Sequence, residues 1–186
     1  MAAEKVACGT AHADNVAPSL FGGFALIRSY DPIDVIQLPV PAGISCAVAH
    51  PHTEVRTEDA RKILKKEIRL ADAIRQWGNL AALVAALYSG DLGLLGRSLQ
   101  DVVAEPSRSL LIPGFAAVKA AALAAGALGC SISGSGPSVF ALCASRSSAE
   151  TAGAAMVEAF GGAGLACDLY VSGINRKGPV VLEGDS

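Results

Sequence analysis

The sequence predicts an α+β domain, an antiparallel or mixed sheet with helices on one face. Short runs of β-branched and aromatic residues alternate with longer stretches of helical period, and several helices fall together in mid-chain. Of 186 residues, 52% are hydrophobic and 17% are charged, against a usual charged share of roughly 25%, so a large core is available. Fifteen basic and seventeen acidic residues leave a net charge of −2. That balance argues against a broad electrostatic grip on nucleic acid.

Each element has its own signal. Residues 1–15 are small and mixed in polarity, as in the tail of a helix. Phe24-Ala-Leu-Ile-Arg and Val35-Ile-Gln-Leu-Pro-Val read as two strands of a hairpin joined by Ser29-Tyr-Asp-Pro. Pro39 and Pro41 mark a domain boundary. Ile44-Ser-Cys-Ala-Val-Ala is a short buried strand leading into His50-Pro-His. Thr57 opens a helix as a capping residue, with Glu58 and Asp59 suited to the first turn. Leu70, Ile74, Trp77, Ala81, Val84 and Tyr88 recur at helical spacing and define the clearest amphipathic helix, which Gly90-Asp91 ends. A short helix through Leu94, Leu95 and Leu99 follows. Pro113 sits at a first helical position, and an Ala-rich helix runs from it to Gly126. Ser131-Ile and Val139-Phe-Ala-Leu-Cys flank a turn of Gly and Ser. Ser147 to Phe160 is a helix capped by Ser147 or Ser148, and Cys167-Asp-Leu-Tyr-Val-Ser alternates as a last strand.

Apolar stretches are broken before they reach the about 20 residues a spanning helix needs; Pro113, Gly114, Lys119 and Gly126 interrupt the nearest, 110–128. No membrane association is expected. Met-Ala-Ala-Glu-Lys-Val carries no signal-peptide pattern. Cys8, Cys46, Cys130, Cys143 and Cys167 form no C-x-x-C pair, so reduced thiols and a cytoplasmic location are expected.

Gly129-Cys-Ser-Ile-Ser-Gly-Ser-Gly-Pro-Ser is the most distinctive chemical feature. Its glycines permit positive φ and expose N–H groups, and its serines add donors, so a phosphate would fit. An ordinary Gly-Ser turn has the same composition. It is no P-loop, because Ser135 and not Lys follows Gly134. It is no dinucleotide fingerprint, because Val139 takes the last glycine's place, and no nucleophile elbow. His12 and Asn15 would share a helical face and suit a small polar ligand; a plain helix end is the alternative. Arg61 and Arg108 can each hold a carboxylate with parallel bonds, or can be solvated surface. Asp101 and Glu105 read as a surface carboxylate pair, and His50 and His52 do not make a metal site.

Taken together, His12-Ala-Asp-Asn-Val-Ala-Pro, Glu105-Pro-Ser-Arg followed by Leu111-Ile-Pro-Gly-Phe, and Gly134-Ser-Gly-Pro resemble the homoserine kinase family of GHMP small-molecule kinases. The order and spacing match over nearly the whole chain. The phosphate-wrapping P-x-x-x-G-L-G-S-S-A of that family's earlier part is absent from this sequence. The expectation is therefore a segment of a longer two-domain enzyme: residues 1–42 the end of a nucleotide-binding domain, residues 43–186 a ferredoxin-like C-terminal domain. The resemblance implies ATP, Mg²⁺ and L-homoserine as ligands, with Glu4 on the metal and His12, Asn15, Arg61 and Arg108 on homoserine. Gly134, Ser135 and Gly136 would shape the phosphate side of the site. It implies no confidently assigned catalytic base, and leaves a homodimer open. Two alternatives stand beside it: another GHMP kinase, of mevalonate or galactose type, or a catalytically silent domain that binds a small polar ligand or self-associates.

Overall fold

The computed structural model describes residues 13–180, which divide into two units, 13–41 with 174–180 and 42–173. In the first unit, helix α1 (Val16–Phe21) precedes the antiparallel hairpin β1 (Phe24–Tyr30) and β2 (Ile33–Leu38). The hairpin agrees with the sequence. Asn15 opens α1, and its carbonyl accepts from Ser19 Oγ at 2.7 Å. Gly22 ends the helix with φ +72°, and a Cβ there would lie 2.7 Å from the Lys177 backbone, so the closing segment presses on a position only glycine fits.

The second unit is built on a four-stranded sheet in the order β4 (Gly129–Ile132), β5 (Val139–Cys143), β3 (Ser45–Pro51), β6 (Cys167–Gly173), every pair antiparallel. Two helices, α6 (Phe115–Ala124) and α7 (Arg146–Gly162), close the β3–β4 and β5–β6 connections and pack together. This β-α-β-β-α-β path with β3 and β5 central is the expected ferredoxin-like arrangement. Small residues explain the close fit. Ala47 and Ala49 of β3 and Ala141 of β5 are fully buried against Ala149, Ala152, Met156 and Phe160. At Gly153 a Cβ would lie 2.7 Å from Leu169 Cδ1 and 3.3 Å from Ala47 Cβ, which shows how near α7 lies to the sheet.

The long β3–α6 connection carries α2 (Thr57–Lys62), α3 (Leu70–Ser89), α4 (Leu92–Ser98), α5 (Glu105–Arg108) and a 3₁₀ turn (Ser109–Leu111). Several local expectations shift. Arg56, not Thr57, precedes α2, and Thr57 is its first residue. Leu99 lies beyond α4. Gly114, with φ +80°, takes the position before α6, so the turn ahead of that helix needs a glycine and Pro113 stands outside it. Ser145 caps α7 reciprocally with Ser148: its side chain accepts from Ser148 N at 3.1 Å, and its own N–H donates to Ser148 Oγ at 3.1 Å. The largest departure concerns α3. Its buried residues are Ala73, Ala86 and Leu87, whereas Leu70, Ile74, Trp77 and Tyr88 face solvent. Among the described residues no single helix is long and apolar enough to cross a membrane.

The core thiols have a pH consequence. Burial pushes the Cys130 thiol up to about 12 and the Cys46 thiol up to about 11, from an ordinary thiol value of 9.0. Unfolded thiols ionise near 9, so above that pH the unfolded state loses protons first and stability falls; below it these groups leave stability intact. Urea midpoints should therefore drop between pH 8 and pH 10.5, and less so in Cys130→Ala. An equal drop in the variant would contradict this.

Candidate functional site

Three elements of the second unit converge on the Gly-Ser turn between β4 and β5. The turn closes on itself through Gly136 N donating to Ser133 O at 3.0 Å and Ser133 N donating to Ser138 O at 2.8 Å. Gly134 and Gly136 adopt φ of +59° and +86°, the left-handed region that glycine enters without strain. Among the described residues, the N–H groups of Gly134 and Ser135 have no protein acceptor. Two free donors in such a turn are chemically suited to an anion.

Arg108 ties the turn to the helical connection. Its Nη1 donates to the Gly134 carbonyl at 2.9 Å and its Nε to the Ala60 carbonyl of α2 at 3.3 Å. Thr57, also on α2, brings its hydroxyl to within 3.5 Å of Ser135 Oγ. Among the described residues Nη2 of Arg108 has no protein partner, and no carboxylate pairs with Arg61 or Arg108. Arg61 is exposed and directly follows the residue whose carbonyl Arg108 holds. The region thus offers two arginines without a carboxylate partner among the described residues, beside a donor-rich turn.

Residues that the sequence suggested were surface groups, or gave no role, hold this arrangement. Asp101 is a capping group and not half of a surface pair: Oδ1 accepts from the N–H groups of Val103 and Ala104 at 2.8 Å, and Oδ2 from Glu105 N at 3.1 Å. Glu105 is largely buried, its side chain 13% exposed. It binds Lys119 of α6 at 2.5 Å and accepts from Ser131 Oγ of β4 at 2.6 Å. So α5, the four residues from Glu105 to Arg108, is bolted to both the helix layer and the sheet. On the other side of the turn, His50 Nδ1 lies 2.8 Å from Ser138 Oγ. No local pattern announced these bonds, whose partners stand 26 and 88 positions apart.

Of the other sequence-derived residues, Asn15 is exposed, and its side chain makes no capping bond with α1. Glu4 and His12 lie outside the described residues. Among the described residues there is no group of three His, Cys, Asp or Glu side chains placed to hold a metal ion. A hollow of about 260 Å³ lies between α4, α5, α6 and β4, lined by Glu105, Lys119 and Cys130, and a second of about 220 Å³ is lined by Glu54, Arg56 and Asp59. Neither is lined by Arg61, Arg108 or the turn.

Residues 83–162 match the family model for the GHMP kinases C terminal. The chain is similar to homoserine kinases. It is 58% identical over 181 residues to the homoserine kinase of Chlorobium phaeovibrioides, covering 96% of this chain and 57% of that relative. The crystal structure of homoserine kinase from Cytophaga hutchinsonii superposes with a TM-score of 0.95 at 58% identity, over 98% of this chain and 58% of that one. The chain therefore spans somewhat more than half the length of these relatives. Mevalonate kinase from L. major in complex with R-mevalonate, at 19% identity and a TM-score of 0.63, shares the fold alone.

Proposed function

We propose that this chain supplies the substrate-holding part of a cytoplasmic homoserine kinase. That enzyme would transfer the γ-phosphoryl group of ATP to the hydroxyl of L-homoserine, giving ADP and O-phospho-L-homoserine on the way to threonine. What carries the proposal is Arg108 joined to both α2 and the Gly134 carbonyl, in a chain 58% identical to a homoserine kinase. In this reading residues 43–186 are the C-terminal domain and 1–42 the end of the nucleotide-binding domain.

Phosphoryl transfer to an alcohol is governed by alignment and charge neutralisation more than by a strong base. The assigned roles follow that requirement. Arg61 and Arg108 hold the homoserine carboxylate. His12 and Asn15 contact its polar end. Gly134, Ser135 and Gly136 place N–H donors on the phosphate side. Glu4 is the residue proposed to hold Mg²⁺ with the nucleotide. No residue is assigned as general base.

The test uses a chain of the relatives' full length. ATP consumption should rise with homoserine and not with mevalonate or galactose. Arg108→Ala should raise the KM for homoserine about 10–100-fold, the worth of a charge-assisted bond, and leave the KM for ATP within about twofold. Unchanged homoserine kinetics would refute the role of Arg108. Inertness of the unmodified enzyme toward homoserine would refute the whole reading.

A further inference from the structure

The antiparallel register of β3 with β5 ends at Ala49 opposite Val139. His50 and Ser138 stand at the next position, where a further backbone pair would fall. A side-chain bond takes that place, with His50 Nδ1 2.8 Å from Ser138 Oγ. A neutral imidazole has one donor and one acceptor nitrogen, and a hydroxyl can play either part, so the bond forms with either tautomer. Both residues are half-buried. Ala49 is fully buried in the core under the helices, so His50, the next residue of the strand, belongs to the other face of the sheet. Asp168 stands opposite His50 in β6, but its Oδ2 is taken by His52 Nε2 at 3.0 Å.

The turn between β4 and β5 is held at two ends by different elements. Arg108 and Thr57 reach its near half, at Gly134 and Ser135. Among the described residues, His50 is the one residue of another element whose side chain bonds the far half, Gly136 to Ser138. The carbonyl of Ser138 accepts from Ser133 N at 2.8 Å, the bond that closes the turn. The free N–H groups of Gly134 and Ser135 lie inside that closure. Donors aimed at developing charge act best when fixed beforehand, and a misplacement of about 1 Å can cost about 100-fold in rate. We propose that His50 is a positioning residue for phosphoryl transfer. By anchoring Ser138 it holds the Gly134 and Ser135 N–H groups where the transferred phosphoryl group arrives, without itself touching substrate. This inference rests on the kinase reading above.

In a chain of the relatives' full length, His50→Leu should lower kcat about 10–100-fold and leave the KM for homoserine and for ATP within about threefold. His50→Asn sets an amide group near the place of Nδ1 and should keep kcat within about threefold of the original. Ser138→Ala breaks the same bond from the other side and carries the same prediction as His50→Leu, even should the latter fail to fold. The two substitutions together should be no slower than either alone, because they remove one shared bond. Amide hydrogen exchange of this chain reads the turn without turnover: the N–H groups of Ser133 and Gly136 should exchange about tenfold faster in His50→Leu and at the original rate in His50→Asn. The inference is overturned by an unchanged kcat in both His50→Leu and Ser138→Ala, by equal losses in His50→Leu and His50→Asn, by a raised KM at constant kcat, by losses that add in the double variant, or by unchanged exchange. Any of these in a chain that phosphorylates homoserine fails this inference alone. An unmodified full-length chain inert toward homoserine fails the kinase reading, and this inference with it.

Discussion

Glu105→Ala should lower the unfolding free energy by about 2–4 kcal/mol, the loss expected when one partner of a largely buried ion pair is removed. The carboxylate lies beneath α5 with its side chain 13% exposed, and Lys119 beside it is 22% exposed. Without the carboxylate, the Lys119 ammonium keeps only the Phe115 ring, 5.9 Å away. Ser131 Oγ loses its acceptor. For a chain of this length the melting temperature should fall by roughly 5–15 °C. Glu105→Gln keeps the shape and the bond from Ser131, so it should lose less. Joint replacement by Glu105→Leu and Lys119→Met should recover most of the loss, because it removes the stranded charge as well. A melting temperature within about 1 °C of the original for Glu105→Ala would mean that the pair contributes nothing. The same bonds fix the origin of the short helix that carries Arg108. Under the proposed role of Arg108, Glu105→Ala in a chain of the relatives' full length should therefore weaken homoserine binding, although Glu105 would not touch the substrate.

That dependence marks the limit of what could be read without coordinates. Hydrophobic period identified α3 correctly, because Leu70, Ile74, Trp77, Ala81, Val84 and Tyr88 share one helical face. Period says that a face is apolar and not what covers it, and in the structure the buried side belongs to Ala73, Ala86 and Leu87. Alternation and bounding turns found the hairpin and the four strands of the main sheet, since each strand's pattern is local. Helix starts were less legible. Ser145, Ser147 and Ser148 can all cap α7, and what decides among them is where β5 releases the chain. Arg108 and the glycine turn were both visible as chemistry. Their bond joins residues 26 positions apart, a distance over which composition carries no information. Asp101 and Glu105 looked like a solvated pair for the same reason: their partners include backbone N–H groups and side chains of other elements.

Gly136→Val should cost about 2–5 kcal/mol, through left-handed backbone strain and overpacking together. Gly136 sits at φ +86°, where a β-branched residue is strained, and a Cβ there would lie 2.9 Å from Ile112 Cδ1 and 3.5 Å from Ile132 Cγ2. Ile112 is 2% exposed, so its side chain is packed on all sides. Gly134→Val separates the two causes. Gly134 has φ +59° but open space around its Cβ position, so that variant bears the backbone strain alone and should cost only about 1–2 kcal/mol. Urea denaturation of the two variants side by side checks the difference. Equal losses would mean that Ile112 yields and the contact is soft. A larger loss for Gly136→Val would mean that the apolar floor under the turn is rigid. A rigid floor is what a donor-bearing turn needs, because the free N–H groups of Gly134 and Ser135 can favour an anion only if the turn does not reorganise when the anion arrives.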